Sequence, residues 1–169
     1  LRAEYDMNHN QLIAARAMEA RLEAERDNLS AIDFGTMSEA DTPRGIEARM
    51  GETQVFNARR GARLGQIAVL QERIGQLQQQ IKGTDDMIGT KVNLQKSYTG
   101  EIGELSELLT QGFVDKQRLL EQQRKLDMLK SEVADQRSSI TKTRLQINET
   151  QLQILQINKD KNKDEDKKQ

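Results

Sequence analysis

The chain has 169 residues, 26 Lys+Arg against 27 Asp+Glu, and a formal net charge of −1. It contains no Cys, no Trp, one Pro, two Tyr and three Phe, only 35% of its residues are hydrophobic, and its mean hydropathy is −0.81. This excludes a compact domain built on a bulky aromatic core, and the balanced charge excludes a general attraction to phosphate backbones or acidic membranes. Regular spacing of Leu, Ile and Val with near-zero net charge argues against full disorder. Elongated helix remains, because a narrow seam needs few apolar residues. Without Cys there are no disulfides and no thiolate metal sites. No run approaches the roughly 20 apolar residues of a membrane span, and no signal peptide is visible. Leu1 already lies inside a helical pattern, so the chain is expected to be a piece of a longer protein, with any targeting or anchor segment outside it.

Residues 1–31 read as a first helix. Ala15, Met18, Leu22 and Leu29 fall on one stripe, with Tyr5, Leu12 and Ile13 nearby. The stripe is narrow, so this helix depends on a partner. Residues 32–42 read as a loop. Gly35 suits the left-handed position after a helix, and Thr42-Pro43 reads as an N-cap followed by Pro at the first helical position.

Residues 43–111 read as one long ascending helix. Ile67, Ile74, Ile81, Ile88, Gln95, Ile102 and Leu109 recur every seven residues as position a; Leu70, Leu77, Thr84, Lys91, Tyr98 and Leu105 follow as position d. Ten of these thirteen positions are apolar, a coiled-coil signature sustained over six heptads. A helix of this length would extend about 100 Å. Gly61, Gly65, Gly75, Gly83, Gly89, Gly100 and Gly103 all avoid the seam. They are either tolerated surface glycines or a bare face that lets a neighbouring rod approach closely.

Residues 112–115 form a turn, and residues 116–158 a descending helix. Its seam is Leu119, Leu126, Val133, Ile140, Ile147 and Ile154, with Gln122, Leu129, Gln136, Thr143, Thr150 and Ile157 between them. Leu145, Leu152 and Leu155 lie off the seam. Folded back about Gly112, Ile102 comes level with Leu126, Ile81 with Ile147, Lys91 with Gln136, and Thr84 with Thr143. The expected fold is therefore all-α: an antiparallel coiled-coil hairpin with an additional N-terminal helix. Residues 159–169, nine of eleven charged, are expected to be a disordered tail.

The turn can be assigned residue by residue. Gly112 supplies the left-handed conformation, Leu108 and Phe113 occupy the two positions of a Schellman hydrophobic contact, and Asp115 caps the next helix. The turn is either a well-made link between two helices and nothing more, or a docking point, since an apolar Phe113-Val114 pair is otherwise poorly placed at the end of a long rod. No set of residues suggests an enzyme. His9 is the single histidine, in a polar Asn8-His9-Asn10 stretch, and reads as a solvated surface residue. Asp85-Asp86 and Asp164-Glu165-Asp166 lack the spacing of a metal loop. No cofactor or metal is expected.

The run Leu105-Ser106-Glu107-Leu108-Leu109-Thr110-Gln111-Gly112-Phe113-Val114-Asp115-Lys116-Gln117-Arg118-Leu119 resembles the hairpin tip of bacterial periplasmic adaptor subunits, the membrane fusion proteins of the HlyD family. Ala3-Glu4-Tyr5, Phe56-Asn57-Ala58-Arg59-Arg60 and Glu149-Thr150-Gln151-Leu152-Gln153-Ile154-Leu155-Gln156 extend the resemblance over nearly the whole chain, and it is closest to the type I protein secretion branch. It implies a six-membered periplasmic tube of hairpins whose tips meet a TolC-like outer-membrane channel. The bases would sit near an inner-membrane ABC transporter that exports a protein substrate, and the full-length adaptor would be anchored in the inner membrane by a segment outside this chain. Glu104, Leu105, Leu108, Leu109, Gly112, Phe113, Val114, Asp115 and Lys116 would be the docking residues. Leu108 and Leu109 match the family's tip leucines, whereas Asp115 stands where a Ser is expected and Glu104 where an Arg is common. In full-length relatives the descending helix continues further, so the first helix and the start of the second are expected to lack their partner here. A generic coiled-coil scaffold or tether is the alternative reading.

Overall fold

The computed structural model describes residues 1–35 and 42–166, the side chains of 161–166 excepted. Helix α1 spans Arg2–Arg26, α2 spans Pro43–Thr110 and α3 spans Lys116–Asp166. The fold is an all-α antiparallel coiled-coil hairpin preceded by an additional helix. Its residues divide into two units: Gln71–Gln151, and Leu1–Leu70 with Leu152–Gln169.

The unit of residues 71–151 holds the upper hairpin. In α3 from Lys116 to Gln151, the residues shielded from solvent are Leu119, Gln122, Leu126, Leu129, Val133, Gln136, Ile140, Thr143, Ile147 and Thr150. Their spacing alternates between three and four, as a two-helix seam requires. Ile88 of α2 is buried against Val133 and Ile140, with Ile81 and Val92 packed alongside. Thr143 and Thr150 tolerate burial because each hydroxyl donates to its own helix, to the Ser139 and Gln146 carbonyls at 3.0 and 2.8 Å. Lys91 and Gln136 are both half-buried. The long stem of Lys91 carries the ammonium to the rim, where it meets Glu132 at 3.0 Å. The buried Oε1 atoms of Gln122 and Gln136 have no hydrogen-bond partner, so these layers weaken the seam. A Cβ added at Gly61, Gly65, Gly75, Gly83, Gly89, Gly100 or Gly103 would meet nothing within 4 Å. No described residue packs closely on them.

The second unit joins α1 to the first turns of α2 and the last turns of α3. Here several expectations are corrected. The first helix stops at Arg26, not at residue 31, because Asn28 adopts φ 56° and closes a Schellman motif. Its N–H donates to the Glu25 carbonyl, and the Leu29 N–H donates to that of Ala24. Gly35 does have positive φ, 58°, but within the loop, where its N–H donates to Asp33 Oδ1. The buried line of α1 is Ile13, Ala17, Arg21 and Ala24; of the expected stripe, Met18 and Leu22 are half-buried and Ala15 and Leu29 are exposed. Ranking by hydrophobicity missed the buried line because small residues and an arginine make this contact. His9 is half-buried, stacked on Tyr5 with ring centroids 5.9 Å apart.

Nor are α1 and the start of α2 without a partner: they hold one another. Arg21 is 4% exposed and donates to Glu25 at 2.8 Å and to Glu52 of α2. Burial alone would lower the pKa of this guanidinium, but the hydrogen bonds and charges of Glu25 and Glu52 outweigh it and raise the value. Arg59 reaches Glu25 at 3.6 Å, and Arg63 donates to Asn28 at 3.2 Å. The paired numbers rise together, so α1 runs parallel to α2. Phe56 is buried at 2% exposure. Thr42 caps α2, its Oγ1 accepting the Gly45 N–H at 3.1 Å. Finally, of the expected disordered tail 159–169, residues 159–166 continue α3 instead, and residues 167–169 lie outside the described residues. No Gly or Pro interrupts 116–166, and Gln156 donates to Asp160 at 2.7 Å.

Candidate functional site

The hairpin tip is built by two helix ends and five linking residues. At the end of α2, the Gly112 N–H donates to the Leu109 carbonyl and the Phe113 N–H to the Leu108 carbonyl, both at 3.0 Å, with Gly112 at φ 77°. This is a complete Schellman pair, and it fixes the backbone where the chain reverses. Thr110 Oγ1 donates to the Ser106 and Glu107 carbonyls at 3.0 and 2.8 Å, tying down the last turn. Asp115 Oδ1 accepts the Gln117 N–H at 3.2 Å and caps α3.

The backbone motif is present, but its expected apolar contact leaves both partners in solvent. Phe113 is 75% exposed and Leu108 38%. Leu105, Leu109 and Val114 are half-buried, while Glu104, Gly112, Asp115 and Lys116 are exposed. The tip therefore presents one large exposed aromatic side chain on a hydrogen-bonded turn, with Leu119 buried in the first turn of α3. Leu120, also exposed, adds apolar surface that the heptad pattern did not single out. Among the described tip residues there is no nucleophile–base pair.

Of the expected seam residues, Ile88, Leu119, Leu129, Val133 and Ile140 are buried. Ile74, Leu77, Ile81, Tyr98, Ile102, Leu126 and Ile147 are half-buried in the same unit, and Ile67, Leu70, Ile154 and Ile157 are half-buried in the other. The reading of the sequence missed Phe56. Continuing position d backwards from Leu70 through Arg63 reaches it, and that signal was available. Phe56 also lines a hollow of about 350 Å³ with Ala24, Leu29 and Ile157. Two arginines at its rim, Arg59 and Arg63, already have partners within the unit.

Residues 1–168 match the family described as AprE, long alpha-helical hairpin. No curated protein matches the chain. Among solved structures, the soluble domain of LipC, a membrane fusion protein of a type I secretion system, is 28% identical. It superposes with a TM-score of 0.91 over 96% of this chain and 78% of that one. The chain belongs to the AprE family of long α-helical hairpins, and its fold is that of a type I secretion membrane fusion protein.

Proposed function

We propose that this hairpin is the periplasmic arm of a type I secretion adaptor. In that role it spans the distance between an inner-membrane ABC transporter and a TolC-like outer-membrane channel, and its tip docks the channel while a protein substrate is exported. The docking surface consists of Glu104, Leu105, Leu108, Leu109 and residues 112–116. Six copies acting together would turn weak single contacts into firm attachment. The full-length protein is anchored in the inner membrane by a segment other than these helices; among the described residues no helix is long and apolar enough to cross a membrane. The observation that carries the reading is Phe113, three-quarters exposed on a turn held by the Gly112 and Phe113 backbone hydrogen bonds. Exposed Leu108 and Leu120 near it in sequence add apolar surface to the tip, and an apolar patch of this kind supports docking of a partner.

A photo-crosslinking residue placed at position 113 of the full-length adaptor tests this in cells. The expected product joins the adaptor to an outer-membrane channel, with none from the same probe at exposed Met128. Equal yields from both positions, or no channel adduct, would refute tip docking and favour a plain tether.

A further inference from the structure

Both helix ends at the tip carry charges of the sign that their own dipoles disfavour. A helix C-terminus exposes unpaired carbonyls and favours cations, whereas an N-terminus favours anions. Helix α2 has no basic residue in its last turn, and no Lys or Arg after Lys96; Glu107 stands in that last turn instead, with Glu104 and Glu101 one and two turns before it, beyond the main reach of the helix end. Helix α3 has no acidic residue in its first turn and begins with Lys116 and Arg118. Asp115, as N-cap, is the one charge of the favoured sign. Glu101, Glu104, Glu107, Lys116 and Arg118 are all exposed, and none is ion-paired among the described residues. These charges therefore neither support their helices nor neutralise one another across the turn. A local rule broken at both ends of one turn, beside an exposed Phe113, marks a surface shaped for something other than stability.

We infer that the tip is a two-sided charged plug. Its protein partner presents Lys or Arg to the α2 end and Asp or Glu to the α3 start, around an apolar slot that receives Phe113. The inference rests on the reading that the tip docks an outer-membrane channel, and it assigns the chemistry of the channel's receiving surface. Charge complementarity of this kind sets orientation and encounter rate, so docking weakens as salt rises.

The test uses the full-length adaptor, the purified channel, and three variants: Glu104→Lys with Glu107→Lys, Lys116→Glu with Arg118→Glu, and Phe113→Ala. Both charge variants are expected to bind the channel about tenfold more weakly at low salt. Both are also expected to melt at a higher temperature than the parent, because each removes a dipole conflict. A merely structural role for these charges cannot produce opposite movements of stability and docking. If Phe113→Ala weakens docking while the charge variants bind like the parent, or if they melt lower, the inference falls and tip docking stands. If Phe113→Ala also binds like the parent, tip docking itself falls and the inference goes with it.

Discussion

Replacing Ile88 by Ala tests the seam at a buried position of α2. Ile88 is 6% exposed and packs against Val133 and Ile140, with Ile81 and Val92 beside it. The change removes three carbons. At about 0.8 kcal/mol per buried methylene the transfer loss is about 2.4 kcal/mol, and incomplete collapse of the cavity brings the cost to about 2–4 kcal/mol. Met87, its neighbour in sequence, is 53% exposed, so Met87→Ala should cost under about 1 kcal/mol. For a chain of this size the Ile88 variant should melt about 5–12 °C lower, with the Met87 variant close to the parent. Circular dichroism at 222 nm during heating, checked by urea titration, reads both. Equal shifts for the two variants would mean that Ile88 does not face α3, and the register of the hairpin would be wrong.

Gly112→Val places a β-branched side chain at φ 77°, which should cost about 1–2 kcal/mol and loosen the tip; an unchanged midpoint together with unchanged channel binding would contradict that role. Arg21→Met leaves Glu25 and Glu52 facing each other with little solvent, and a loss of about 2–3 kcal/mol is expected, recovered in part by adding Glu52→Leu. Because the folded-state pKa of Arg21 is raised, its contribution is fully present below the unfolded value and disappears only as pH rises through the folded one. Arg21 titration should therefore cause no loss of stability between pH 5 and about 10, measurable as the difference in urea midpoint between parent and Arg21→Met. Thr42→Ala removes the cap of α2 and should cost about 1 kcal/mol, with hydrogen exchange at the Gly45 amide as the direct readout.

Much of this fold is legible from local chemistry. The seven-residue repeat in α2 and α3 follows from helix geometry alone: residues three and four apart share a face, and an apolar face must be covered. The turn was equally readable, because Gly112 and Asp115 are chosen by backbone needs that act within a few residues. Phe113 was legible as a residue, while its exposure was not, since exposure depends on what the rest of the chain fails to cover. Only the tertiary structure decided the unit around α1. Its contact face of Ile13, Ala17, Arg21 and Ala24 has too few large apolar residues to stand out in a periodicity count. Arg21 is buried there because two carboxylates, one of them 31 residues away on another helix, replace its water. A one-dimensional pattern records which face of a helix is apolar, but which partner meets it, and in which direction, is set by contacts between residues far apart in the chain.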